Sequence, residues 1–469
     1  MSLSMSLPIL NIDILLEIVR KLKDNKGSLF NFLFVNKFFC EIAVSILWRN
    51  PFKYKVYSSY LIIQTYIKLF NEEEQNEINK FLDKSFKFNN EQEKPLHFQY
   101  GKYLKVFKLE EIKVAIKKSW YNILKDQQRK YDQYDLRYEK YIMKSIMRQC
   151  QTLDCLEWNA SYVNEDLLKI MQDKIKDLKY FIIHYSKYGK ENQNIFGYLK
   201  NHSKNISSLI IENMCDDEIA KKEFVSFIEL QNGLDEFILN HKKKNYEYKD
   251  LITSTLEFQA NNLTKVIIIE VDFSDISFDI IDKCINLKLL VLRSNKGLKS
   301  DEIDLYTSFK NLKVLELSYN DWSSEVTILI IKKAGKSLTS LTIGENNIKQ
   351  AINDDTLTAL TDSCPNIYSL SISKTSRKSV EMVLSYLKYL KLVTLQIFQI
   401  ENKGTVMKSE VLLNYIKNEN SLFKLGLGKN DKYWDSYNYV RKNFEKILKE
   451  HNIKLIAYKP YKLEYKIGL

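Results

Sequence analysis

FKNLKVLELSYND, residues 309–321, is the stretch that decides the fold. Leu312, Leu315 and Leu317 take the first, fourth and sixth places of a short unit, and Asn320 takes the ninth. Side chains alternate along an extended strand, so Leu315 and Leu317 share one face and Glu316 the other. The neighbours repeat the spacing: Leu287, Leu290, Leu292 and Asn295 before it, Leu338, Leu341, Ile343 and Asn346 after it.

With any apolar residue allowed at the first, fourth and sixth places, units start at Leu153, Leu178, Ile206, Leu234, Leu263, Leu287, Leu312, Leu338, Ile367, Leu392 and Leu422. Successive starts lie 24 to 30 residues apart, and a degenerate twelfth unit (Ile453, Ile456, Tyr458) closes the series. One such match in a chain rich in Ile and Leu is accident; eleven in even succession are not. Period and motif resemble a leucine-rich repeat, in which each strand is followed by a helical return and only stacking buries the inward leucines. SSEVTILIIKKAGKSL (323–338) and DDTLTALTDSCPNI (354–367) read as such returns, ending near Gly335 and Pro365. The expected fold class is α/β, with parallel strands on a concave face and helices on a convex one. Asparagine fills the ninth place at Asn295, Asn320, Asn346 and Asn430, where it is expected to bond neighbouring backbone turns.

Upstream, residues 53 to about 100 read as a helical linker, with a helix in NEEEQNEINKFLDKSF (71–86) and a break at Lys94-Pro95. A charged helix between 120 and 150 carries Tyr131, Tyr134, Tyr138 and Tyr141 on one stripe and is expected to cap the first strand. The implied division is residues 1–52, a linker and cap over 53–150, and repeats over 151–469.

Composition excludes several classes. The 469 residues are 45% hydrophobic and 28% charged, as in a folded chain, and no apolar run approaches the roughly 18 residues of a membrane span. LPILNIDILLEIVRKL (7–22) is no secretory signal, because Pro8, Asn11, Asp13 and Glu17 interrupt it. Six scattered cysteines without a CxxC pair point to a reducing compartment, cytoplasmic or nuclear. The net charge of +12 invites a nucleic-acid partner, but the longest basic run is Lys242–Lys244 and lysines elsewhere alternate with acids, which argues against one. The five histidines, His97, His184, His202, His241 and His451, have no metal-ligand spacing. GLGKND (426–431) falls within the eleventh repeat, and Cys150 and Cys155 read as buried thiols. No catalytic, cofactor or metal site is expected; the chain reads as a non-enzyme.

In the N-terminal segment, Leu7, Leu10, Ile14, Leu15, Ile18 and Leu22 recur on one helical face. A turn at KDNKG (23–27) leads to SLFNFLFVNKFFCEIAVSILWRN (28–50), with Ser28 placed as a helix cap. Phe32, Leu33, Val35, Phe38 and Phe39 are too many apolar groups for a lone helical pair to bury, so a partner is implied. Leu7-Pro8, the apolar helix, Leu33-x-Val35-Asn36-Lys37-x-Phe39, Ile42 and Leu47-Trp48-Arg49 resemble an F-box over residues 7–50. Phe39 stands where the family often has Trp, and Ile9-Leu10-Asn11 where it often has an acid. An F-box followed by leucine-rich repeats resembles the substrate receptors of Skp-cullin-F-box ubiquitin ligases. The resemblance implies a Skp-family adaptor, and through it a cullin-RING ligase, bound by Leu7, Pro8, Ile14, Leu15, Ile18, Leu22, Leu33, Val35, Phe39, Ile42, Leu47 and Trp48.

The place between the fourth and sixth positions should project from the inner face. It reads Glu157, Ile182, Ile210, Ile238, Ile267, Val291, Glu316, Thr342, Ser371, Gln396 and Gly426. Five consecutive aliphatics, with Ile269 and Leu289 beside them and His184, Glu212, Asn240 and Arg293 on the next column, suit capture of a target protein. Two plainer accounts stand beside this: β-branched residues favour strands, and the tail 455–469 could cover them. Two alternative functions remain open, a ubiquitin-independent protein-binding scaffold and a basic RNA-associated repeat protein; burial of Leu7, Pro8 and Trp48 would favour the scaffold.

Overall fold

The computed structural model describes residues 14, 17, 19, 21–22, 25–53, 59–79, 96–126, 136–160, 165–185, 195–214, 217–241, 248–303, 305, 307–345, 353–375, 392, 394–400, 424–427, 449–450 and 453–456. They fall into two compact units, Met1–Ile206 and Ser207–Leu469.

In the first unit, Ile14, Glu17, Val19 and Lys21 are helical. The 28–50 segment forms two helices, α1 (Lys26–Phe32) and α2 (Lys37–Leu47). Asn25 caps α1, its Oδ1 accepting from Ser28 N–H at 3.1 Å, so Ser28 lies inside the helix and is not its cap. Asn36 caps α2 by accepting from Phe39 N–H at 3.0 Å. Two asparagine caps this close together break the segment in two. Next come α3 (Ser59–Ile67) and α4 (Glu72–Asn79). Asn71 and Glu74 close a reciprocal capping box at the start of α4. Residues 80–95, which hold the rest of the expected 71–86 helix and the Lys94-Pro95 break, lie outside the described residues.

Strand β1 (Val106–Lys108) lies where a linker was expected. It pairs in parallel with β2 (Cys155–Asn159), and β2 with β3 (Tyr180–His184). Leu104, Phe107 and Leu109 are fully buried and hold the first, fourth and sixth places of an additional repeat. Its return contains α5 (Leu109–Asp126) and α6 (Leu136–Gln149), which stretches the interval to Leu153 beyond the regular period. The one long helix expected over 120–150 is this pair; Tyr138 is buried, Tyr141 half-buried, and Tyr131 and Tyr134 lie outside the described residues. The unit also holds α7 (Glu165–Met171) and α8 (Ile195–His202).

The second unit is a sheet of ten parallel strands taken in chain order: β4 (Ser208–Glu212), β5 (Glu236–Asn240), β6 (Lys265–Ile269), β7 (Leu289–Arg293), β8 (Val314–Asn320), β9 (Ser340–Glu345), β10 (Ser369–Thr375), β11 (Thr394–Ile400), β12 (Lys424–Leu427) and β13 (Lys454–Ile456). All but β13 begin two residues after the repeat starts read from the sequence. The register aligns like places, with Leu290, Leu315, Leu341 and Leu370 successive partners. Leu455, and not Ile456, aligns with Leu425, which shifts the twelfth repeat by one residue. Returns include α9 (Glu218–Glu229), α10 (Lys249–Phe258), α11 (Asp279–Asp282), α12 (Ser324–Ala334) and α13 (Asp354–Ser363). Ser323 caps α12 and Gly335, at φ 56°, ends it, as the sequence implies. Parallel strands with helical returns and repeat-for-repeat register are the architecture that the leucine-rich-repeat pattern implies.

The turn after each strand sets the stack. Asn213, Glu270, Ser294 and Tyr319 have positive φ, all at the eighth place of their repeats, a left-handed conformation that costs a non-glycine residue about 1–2 kcal/mol. After Glu270 and Ser294 the ninth-place N–H groups, of Val271 and Asn295, are taken by asparagine side chains of the next repeat. Asn295 Oδ1 accepts from Val271 N–H at 2.9 Å and its Nδ2 donates to Ile268 O at 3.0 Å. Asn320 does the same one repeat on, accepting from Asn295 N–H at 2.9 Å and donating to Leu292 O at 2.8 Å. Asn346 and Asn430 lie outside the described residues. A second ladder, which the sequence pattern did not disclose, runs just before the first leucine: Asn286, Asn311 and Asn366 donate to the carbonyls of Asn261, Ile285 and Lys336, and Ser337 Oγ to that of Phe309. Between returns, the buried Lys333 ammonium meets Asp282 at 2.7 Å and Thr307 Oγ1 at 2.7 Å.

Removing Asn295 strands a buried donor and a buried acceptor, each worth about 1–3 kcal/mol unpaired. Asn295→Ala should therefore lower stability by about 2–4 kcal/mol, and Asn286→Ala, at an exposed site, by less than about 1 kcal/mol; urea unfolding of both variants checks the ranking.

Candidate functional site

The residues singled out from the sequence lie in two places, on the N-terminal helices and on the strands. On the helices, Val19, Leu29, Ala43 and Val44 form a small buried core. Stacking of Phe32 on Phe39 (5.2 Å between centroids) and an edge contact of Phe38 with Phe39 (5.7 Å) fill its margin. Beyond it, Phe30 (57% exposed), Phe34 (75%) and Val35 (57%) stand open, with the Phe30 and Phe34 rings 5.3 Å apart. Ile14 is also exposed. Of the other residues singled out from the sequence, Leu22, Leu33, Phe39, Ile42, Leu47 and Trp48 are half-buried; Leu7, Pro8, Leu15 and Ile18 lie outside the described residues. Phe30 and Phe34 were not singled out, because the end of α1 that holds Phe30 and the turn after it that holds Phe34 depend on the Asn25 and Asn36 caps.

Trp48 has an internal role. Its ring lies 4.3 Å from Tyr100 and 5.7 Å from Tyr66. Arg49 pairs with Asp154 at 2.8 Å, and its carbonyl accepts from Lys105 N–H (3.0 Å) and Val106 N–H (3.1 Å). The Leu-Trp-Arg end is thereby fixed to β1 and the approach to β2.

On the strands, the aliphatic column differs from the expected open surface. Ile182, Ile210, Ile238, Ile267 and Val291 are only 2–6% exposed. Ile269 is buried too, and Leu289 half-buried. The flanking columns mix such apolar residues with polar ones. Ser208 donates to Glu236 at 2.6 Å, Lys265 stands 3.8 Å from the same carboxylate, and Arg293 grips Glu316 at 2.6 Å. In the first unit, Glu157 lies 3.3 Å from Lys108 and 3.5 Å from His184. Burial pushes the Glu157 pKa up, but the His184 hydrogen bond and the Lys108 charge outweigh it and hold the carboxyl below its usual range.

Cys150, Cys155, Cys284 and Cys364 are buried, and desolvation pushes each thiol up to about 12. Such thiols are poor nucleophiles at neutral pH. Among the described residues no group of three or more His, Cys, Asp or Glu could hold a metal, and no helix is long and apolar enough to cross a membrane.

No protein-family model matches the chain, and no curated protein matches it. Among solved structures it is similar to the leucine-rich repeat-containing protein LegL7 from Legionella pneumophila, at 15% identity over 66% of this chain and 84% of that one, with a TM-score of 0.36. It is also similar to a structure of the yeast Rad7 and Elc1 complex, at 13% identity over 84% of this chain and 94% of that one, with a TM-score of 0.33. The repeat assignment rests on strand order and register, not on these likenesses.

A carboxylate whose folded pKa is depressed contributes stability above its unfolded pKa of about 4.3 and loses it as pH falls through the folded value. The urea midpoint should therefore drop as pH falls from about 6 to about 3, and less steeply in Glu157→Gln.

Proposed function

We propose that the chain is a non-catalytic adaptor: its F-box-like N-terminal module docks on a Skp-family adaptor, and its repeats hold a target protein for ubiquitination. The observation that carries this reading is the open apolar group Phe30, Phe34 and Val35 on the N-terminal helices. Large side chains in the open are the kind that dominate binding energy once a partner excludes water from them. The anchoring of Trp48 and Arg49 suits an adaptor, since a presented target must keep a fixed position relative to the ligase.

Trp48 also favours a second reading. Its packing on Tyr66 and Tyr100 suits a module that caps the repeats of a ubiquitin-independent scaffold. On that reading Phe34 and Val35 meet some other partner.

Co-expression of the full chain with a Skp-family adaptor, followed by size-exclusion chromatography, separates the two. The wild type should co-elute with the adaptor, and Phe34→Asp/Val35→Asp should weaken the complex at least about thirtyfold, the loss of one strong hot spot. Separate elution of a well-folded wild type would leave the scaffold reading.

A further inference from the structure

Lysines that the sequence places 25 or 26 residues apart become neighbours once the repeats stack. Lys288 and Lys313 each follow the first leucine of a repeat, and Lys313 N–H donates to the Lys288 carbonyl at 2.8 Å. Lys310 and Lys336 each stand two places before that leucine, in step through the Ser337 bond to Phe309 O. All four are exposed. Like places on adjacent repeats are neighbours in the stack, so Lys288 and Lys313 form one pair and Lys310 and Lys336 another, staggered by one repeat, in two rows at the strand-entry edge.

Among the described residues no acid neutralises these lysines. Glu257 and Asp282, acids of the adjoining returns, are taken by Lys283 and Lys333, each at 2.8 Å or less. None of the four lysines forms an ion pair with another described residue. The carbonyl end of α12 accounts for Lys336, since cations sit well at a helix C-terminus, but Lys288 and Lys313 follow no such end. Like charges in facing register repel. Ile285, in the place of Lys310 one repeat earlier, is exposed beside them, its carbonyl held by Asn311.

We propose that this edge is an interaction surface for an acidic protein segment, whose carboxylates meet the four lysines and whose apolar residue meets Ile285. The rows lack what single-stranded nucleic acid needs, successive aromatic platforms for its bases; Tyr368 is their one exposed aromatic residue among those described. The proposal shares with the adaptor reading only the premise that the repeats bind protein, and does not depend on the partner of the N-terminal module.

The test is fluorescence anisotropy of the full chain with labelled oligoglutamate and, separately, labelled oligouridylate. Wild type should bind oligoglutamate, and added salt should weaken that binding. Lys288→Glu/Lys313→Glu should weaken it at least about tenfold, and the gentler Lys288→Gln/Lys313→Gln by less. Lys222→Glu/Lys249→Glu, which alters net charge equally on exposed helix positions, should stay within about twofold. No oligoglutamate binding by wild type, an equal loss in the helix pair, or tighter binding of oligouridylate through the same lysines would each overturn the proposal. Co-elution with the Skp-family adaptor is a separate readout, so the two readings fail separately.

Discussion

The side chain of Asn295 joins two repeats by satisfying backbone groups that their own strand leaves behind. Val271 N–H and Ile268 O belong to one repeat and find their partner in the next. The link is reciprocal in its consequences: it fixes the spacing of neighbouring turns, and so the register of β6 against β7 and of every place along them. With Asn320 repeating it, the left-handed residues Glu270 and Ser294 become tolerable, because the turn they strain is held from the adjoining repeat. Leucines placed inward by this register, such as Leu290 and Leu292, are fully buried, each worth about 1.5–3 kcal/mol.

Much of this was legible in the sequence because the signal is repeated. One leucine triplet carries little information, but eleven carry the period, and strands β2 to β12 begin where the triplets require. Irregular units are where the reading faltered. The Leu104 repeat has its apolar triplet, but a return of two helices hides it from a test of even spacing. The twelfth repeat offers both Leu455 and Ile456 for one place, and only pairing with Leu425 decides between them. In the N-terminal segment Ser28 was expected as the cap and Asn25 is the one whose side chain reaches a free N–H, a matter of geometry that residue type does not settle.

The candidate surfaces were less legible, for a related reason. Alternation along a strand puts Ile210 and Ile238 on the face opposite the leucines, but says nothing of what flanks them, and they are buried while neighbours such as Lys265 are exposed. Charge reading along the chain met the opposite difficulty. Lys288 and Lys313 are separated by acids in sequence and adjoin in space, so the absence of a long basic run does not imply the absence of a basic patch. Phe34 and Val35 are exposed because the Asn25 and Asn36 caps place them in a turn, a context their hydrophobicity alone does not predict.

The central claim is that residues one repeat apart are direct neighbours in a parallel ladder. Oxidative cross-linking tests it most directly, because a disulfide forms only when the Cα atoms lie within about 7 Å. With Lys288→Cys/Lys313→Cys in the full chain, peptide mapping by mass spectrometry should recover an intramolecular 288–313 bridge, while Lys288→Cys/Lys336→Cys, two repeats apart, should give none. Failure of the 288–313 bridge to form in a folded chain, or equal bridging in both variants, would contradict the stacked register on which the account depends.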